Sequence, residues 1–279
     1  MKIYISNDME GLAGITCPSQ EREETASFRR ALHNQLRWII EGIQASSRNE
    51  EVEEITISDS HGDGIHLSYD ELSAMDDRIS LVSGSPRKHF MMSCLDESYD
   101  VVFLSGYHAG PGEPFANMDH SFSGKTVAAL RINGVYMNES TTNAALAADY
   151  GVPVGLVIGD SGLKNQLIDQ KMMPWVEYVT TKESLSRYAA KFPPQRKLRQ
   201  DTIDAVKKVL ESDLKSIPLY KVTAPITLSF QFKATSMAER VAQLPFVTRA
   251  NGTEVSLTCQ NMTEVECSIS AITALAGIA

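Results

Sequence analysis

The sequence is poor in cysteine. Four residues of 279, Cys17, Cys94, Cys259 and Cys267, are cysteine, and no two stand as a CxxC pair. That excludes a zinc ribbon and an obvious disulfide framework, and the thiols read as buried or idle groups in a reducing cytosol. Basic charge is also scarce. A formal net charge of -9 argues against nucleic acid and anionic membrane surfaces as partners, since both need clustered Lys and Arg. Long apolar runs are missing as well: the tail from Ile269 to Ala279 is too short to span a bilayer and is broken by Ser and Thr. The opening Met1-Lys-Ile-Tyr-Ile-Ser turns polar at once, without the apolar core and cleavage site of a secretory leader. A soluble, cytoplasmic protein is expected.

What is present is ordinary globular material, 43% hydrophobic and 22% charged residues, in a chain long enough to bury a core without disulfide staples. Four short runs rich in apolar and β-branched residues end in polar or glycine-containing turns: Lys2 to Ser6, Glu54 to Ser58, Asp100 to Ser105 and Val152 to Ile158. Between the first two, Phe28, Leu32, Leu36, Ile39, Ile40 and Ile43 recur at the spacing of one helix face, which makes a βαβ unit. Further helices are expected over Thr141 to Tyr150, Leu163 to Gln170, about Arg196 to Ser212, Thr235 to Gln243 and Thr263 to Ala279. Strands are expected at Val176 to Thr180, Pro225 to Ala234 and Thr253 to Gln260. Alternating strands and helices predict an α/β fold. Its expected form is a layered βαβ sheet subdomain over residues 1–160, with a second α/β subdomain over 161–279 packed against it.

Chemistry-bearing residues gather where predicted strands end, which is where open α/β sheets place their ligand crevice. Asp8 and Glu10 of Asp8-Met9-Glu10-Gly11 point to the same side of an extended chain. Two acids packed together in a cleft repel each other unless a cation or a proton neutralises one. Taken alone, such a pair is more often an exposed strand end than a metal site. Its partners change that balance: His61 follows the second strand in Asp59-Ser60-His61-Gly62, and His108 follows the third in Gly106-Tyr107-His108-Ala109. His120 stands in a loop rich in glycine and proline, and Glu139 near the start of a helix. His33 reads as a solvated helix face, while His66 and His89 have no supporting pattern. Gly159-Asp160-Ser161-Gly162 lacks the lysine of a phosphate-binding loop and reads as a turn.

In this succession the chain resembles the zinc-dependent D-aminopeptidase family (peptidase family M55), whose signature Ser-x-Asp-x-Glu-Gly stands here as Ser6, Asp8, Glu10 and Gly11. The likeness continues in order through Asp59-Ser60-His61, Gly106 to Ala109, His120-Ser121, Glu139 with Asn143 and Ala144, Pro153-Val154 and Gly159-Asp160, along nearly the whole chain. It implies two zinc ions per subunit, bridged by Asp8, with Glu10 and His108 completing one and His61 and Glu139 the other. It also implies His120 as the catalytic residue, as nucleophile or as general acid and base. Short peptides, with D-amino acids among their residues, are the implied substrates. A ring-like homo-oligomer is implied too, a decamer being one candidate size. Asp59 is expected to support His61 from behind. Asp119 and Glu113, which the family pattern does not anticipate, either hold a peptide's ammonium or are solvated loop acids. Two alternatives remain open: a dinuclear metal amidase or phosphoesterase, against which stands the scarcity of nearby bases (Lys125 and Arg131 alone), and a non-enzymatic metal- or peptide-binding protein.

Overall fold

Alternation along the first strands sets the layering. Ile3 and Ile5 enter one hydrophobic cluster and Tyr4 the other, and in the same way Val101 and Phe103 separate from Val102 and Leu104, as the two faces of a pleated sheet require. The computed structural model describes residues 1–279. Its strands are β1 (Lys2–Asn7), β2 (Glu54–Asp59), β3 (Ile79–Val82), β4 (Val101–Tyr107), β5 (Val127–Ile132) and β6 (Val135–Met137). They continue as β7 (Val154–Asp160), β8 (Glu177–Ser186), β9 (Ala189–Lys191), β10 (Ile226–Phe232), β11 (Thr248–Arg249) and β12 (Glu254–Cys259). One sheet runs in the order β3-β2-β1-β4-β7-β8-β9, parallel from β3 to β8 with an antiparallel edge at β9. The other, β11-β12-β10-β5-β6, is antiparallel throughout.

Both faces of the large sheet are covered, which is why its strands carry unbroken apolar runs. Helices Thr25–Gln44 and Gln195–Leu210 share one cluster with Ile3, Ile5, Ile55 and Ile57. The other face packs on helix Glu139–Asp149, and the same cluster extends through the small sheet to helix Met262–Ala276. The six apolar positions that predicted the first long helix are all buried, each favouring the packed state by about 1.5–3 kcal/mol over exposure. No helix is long and apolar enough to cross a membrane.

The α/β class is the one expected, and every predicted strand forms. The two sheets divide the chain elsewhere than at Asp160: β8, β9 and helix Gln195–Leu210 join the first sheet, while β5 and β6 belong to the second. The β5–β6 hairpin was not anticipated, although Asn133-Gly134 supplies its turn with φ of 51° and 79°, the conformation that makes Asn-Gly a hairpin signal. Helix Glu139–Asp149 starts two residues before the predicted Thr141. Asn138 caps it, its side chain accepting from the Thr141 N–H at 2.9 Å, and Glu139 thereby falls in the first helical turn.

Candidate metal centre

The chain leaves β1 for β2 on one side and later returns to β4 on the other, so the crevice at the carboxyl ends of β2, β1 and β4 is the switch point of the sheet. Asp8 and Glu10 follow β1 in a tight loop laid against the end of β4. The Asp8 N–H donates to the Ser105 carbonyl at 2.8 Å and the Gly11 N–H to the Gly106 carbonyl at 2.7 Å. A Cβ on Gly11 would lie 1.7 Å from the Tyr107 oxygen, so only glycine admits this approach. Gly11→Ala is expected to cost about 3 kcal/mol or more, read as a lowered denaturation midpoint.

On that floor three carboxylates meet three imidazoles. His61 Nδ1 lies 3.2 Å from Asp8 Oδ1 and 3.1 Å from Glu10 Oε2. His108 Nε2 lies 3.3 Å from Glu139 Oε2 and 3.7 Å from Asp8 Oδ2. His120 is stacked on His108, ring centroids 4.2 Å apart, with Nε2 3.9 Å from both Glu10 and Glu139. Asp8, Glu10, His108 and Glu139 are all under 5% exposed. All six predicted site residues are therefore together. Glu10 lies nearest His61 and Glu139 nearest His108, and Glu10 also groups with His108 and His120.

These residues suit a metal by their own arrangement. Glu10 Oε2 and His108 Nε2 are buried without a hydrogen-bond partner despite neighbours at 3.1 and 3.3 Å. Atoms that converge without hydrogen-bond alignment, 3.1 to 3.7 Å apart, match ligands held about 2 Å from a shared ion. The His108 Nδ1 contact with the Ala109 carbonyl, at 3.0 Å, assigns that nitrogen the proton and leaves Nε2 free to coordinate. Asp8 with Glu10 and His61, and Asp8 with His108 and Glu139, each form a three-ligand group.

The family model for the peptidase M55 D-aminopeptidases matches residues 1–271. The chain belongs to this family. Among curated proteins it is similar to the D-aminopeptidase of Bacillus subtilis (strain 168), 28% identical over 258 residues that cover 91% of this chain and 88% of that protein. Among solved structures it is similar to DppA from Bacillus subtilis, described as a zinc-dependent D-aminopeptidase and a self-compartmentalizing protease. The TM-score is 0.89 at 24% identity, over 100% of this chain and 99% of that one. As a member of the M55 family, the chain is a peptide-bond hydrolase.

Charge in this M55 site is balanced internally. Burial, reinforced by the Glu10 charge, raises Asp8 to about 7. Burial alone would raise Glu10 too, but His61, His120 and His108 outweigh it and hold that carboxyl well below its ordinary range. Burial opposes protonation of His108, yet Glu139 draws it up to about 10. His61 is raised in the same way by Glu10 and Asp8. His120 goes the other way, lowered by burial and by its stacked neighbour His108.

Several participants carried no sequence signal strong enough to single them out. Glu21 and His66 form a group with His61: His66 Nε2 is 3.0 Å from Glu21 Oε1, and Glu21 Oε2 is 3.9 Å from His61 Nε2. Asp59, expected behind His61, instead accepts from the N–H groups of His66 and Leu67 at 2.6 and 2.8 Å. Lys182 is fully buried beneath the site and donates to the Glu10 and Ile15 carbonyls and to Asn117 Oδ1, at 2.5 to 2.6 Å. Glu113 and Asp119 hold loops, Glu113 through Asn165 and Gln170, Asp119 through Arg187 and the Gly112 N–H. Asp160 likewise serves structure, its side chain accepting from the Leu163 and Asn117 N–H groups and from Ser184 Oγ.

Proposed function

We propose that this M55 member is a dinuclear zinc aminopeptidase that removes N-terminal residues, D-amino acids among them, from short peptides in the cytoplasm. One observation carries the reading: the two oxygens of Asp8 face two different imidazoles, His61 at 3.2 Å and His108 at 3.7 Å, each beside a further glutamate. Asp8, Glu10 and His61 would hold one ion, and Asp8, His108 and Glu139 the other. Carboxylate and imidazole suit zinc, and three protein ligands per ion leave positions open, the mark of catalytic rather than structural sites. The zinc dependence described for the similar Bacillus subtilis structure supports the choice of metal, and its self-compartmentalizing assembly supports a ring-like homo-oligomer. Bound there, the ions supply Lewis-acid polarisation of the scissile carbonyl and lower the pKa of water.

The chain's own part in catalysis falls to His120. Its Nδ1 lies 2.8 Å from the Met118 carbonyl, which assigns Nδ1 the proton and leaves the Nε2 lone pair facing the carboxylate cluster. The depressed pKa keeps that nitrogen unprotonated near neutrality, so it can accept a proton during attack and return it to the leaving amine. Direct attack by Nε2 on the carbonyl is the other use of the same lone pair.

Metal analysis of the purified protein, with a panel of D- and L-aminoacyl dipeptides, tests the reading: two zinc ions per chain and cleavage of the D series are expected. Failure to hydrolyse any aminoacyl peptide after zinc loading would sink it. A pH series on stripped protein gives an independent check. A group whose folded pKa is raised contributes stability below its unfolded value and loses it as pH rises through the folded one. For His108 that window runs from the ordinary 6.5 to about 10. Metal-free protein is therefore expected to lose thermal stability between about pH 6.5 and pH 10. Zinc replaces those protons, so its stabilising shift should widen over the same range. A zinc-induced shift that shrinks with rising pH would contradict the ligand assignment.

A further inference from the structure

Helix Met262–Ala276 carries one charged residue on its buried face. Glu266 sits in line with Met262, Val265, Ile269 and Ile272 at 1% exposure, and neither of its carboxylate oxygens has a hydrogen-bond partner. An unpaired buried carboxyl is costly where leucine or methionine would pack without penalty. Burial, with the Glu139 charge as the second cause, raises its pKa to about 8. Packing therefore gives no reason for glutamate at this position.

Glu266 lines a cavity of about 310 Å³ together with Ile269, Phe90, Phe122 and, on the solvent side, the exposed Asp63. No lysine or arginine lines it. Two lining residues of the cavity tie it to the candidate metal centre. Asp63 lies two residues past His61, and Phe122 lies two past His120 and donates its N–H to Glu139 Oε1 at 2.5 Å. Phe90 and Phe122 both hold positive φ, 38° and 58°, a backbone state rare for bulky side chains and concentrated at ligand sites. Phe90, Phe122 and Ile269 set among the hydroxyls of Ser85, Ser123, Ser270 and Thr273, with a buried carboxylate and a second carboxylate at the rim, suit a flexible alkyl stem ending in a cation.

The geometry points to this cavity as the subsite for the side chain of the substrate's N-terminal residue, with Glu266 selecting a primary ammonium of the lysine or ornithine type. The inference rests on the aminopeptidase reading above. The peptide's α-ammonium offers the same chemistry, but a space of about 310 Å³ with phenylalanine and isoleucine walls holds an alkyl stem as well as a charge.

The test compares kcat/KM of the zinc-loaded protein on lysyl, Nε-acetyl-lysyl and norleucyl dipeptides, in both D and L series. Wild type should prefer lysyl over norleucyl, and Glu266→Gln should reduce that ratio about thirtyfold or more, the cost of leaving a buried charge unpaired. The acetyl-lysyl to norleucyl ratio should not change. Glu266→Met, which keeps the volume, should give the same loss of preference and stands in if the glutamine variant does not fold. Pentylamine should raise the melting temperature of wild type and not of either variant. Equal loss on lysyl and norleucyl peptides, or a wild type without lysyl preference, overturns the inference. If wild type cleaves no peptide at all, the aminopeptidase reading fails, and pentylamine protection still decides whether the cavity binds a cation.

Discussion

Asp8→Ala is expected to lower kcat/KM by about a thousandfold or more, the loss of several kcal/mol of charge stabilisation, and to reduce zinc from two ions per chain to one or none. In the proposed assignment Asp8 alone is shared by the Asp8–Glu10–His61 and Asp8–His108–Glu139 groups, so no other single substitution removes a ligand from both ions. Glu10→Ala and Glu139→Ala should each weaken one ion and leave the other, which makes the metal stoichiometry a sharper readout than rate. The stability of stripped protein should move the opposite way. Asp8 is buried and its pKa is raised to about 7 by that burial and by Glu10. A carboxyl raised in this way favours the folded state at low pH and loses that contribution as pH climbs from its unfolded value of 3.8 towards 7. Above about pH 7 the ionised Asp8 burdens the metal-free fold, and alanine should relieve it. Metal-free Asp8→Ala that melts well below metal-free wild type at pH 8 would mean that Asp8 holds the loop together rather than an ion.

How much of this was legible in the sequence follows from range. The strand ends were readable because β1, β2, β4 and β7 are buried on both faces and stop on or within one residue of a glycine or acid, a signal contained within a few residues. Asp8, Glu10, His61 and His108 inherit that clarity, each standing one to three residues past a strand. Which histidine each glutamate lies nearest was not readable, since it depends on which strands flank β1 in space. Glu21 shows the limit most clearly. It lies in a single acidic helical turn, Gln20–Glu23, that looks like solvated surface, and only folding brings it to His66 and His61. Lys182 and Glu266 are similar: each shares its strand or helix with other charged residues, and burial alone marks them out. The small sheet draws β5 and β6 from the middle of the chain to pair with β10 and β12, a long-range choice that a boundary drawn along the sequence does not capture.

His120→Ala should separate catalysis from metal binding. The variant is expected to retain both zinc ions, because neither three-ligand group around Asp8 includes His120, while kcat falls by about a hundred- to ten-thousandfold, the range for loss of a positioned proton-transfer group. The pH profile gives the second readout. Burial, the first cause that holds the His120 pKa below its ordinary 6.5, persists with zinc bound, and the positive charge of the ions acts in the same sense as the His108 cation they replace. Wild-type kcat should therefore fall on the acid side as Nε2 takes up a proton, with the limb centred below pH 6.5. The residual rate of His120→Ala should lack that limb. Loss of zinc together with activity would instead make His120 a ligand, consistent with its 3.9 Å approach to Glu10 and Glu139. An acid limb that survives the substitution unchanged would place the titrating base elsewhere in the cluster. A pre-steady-state burst distinguishes the two uses of Nε2: a covalent acyl-imidazole releases the first product ahead of hydrolysis, whereas general-base catalysis gives linear release from the first turnover.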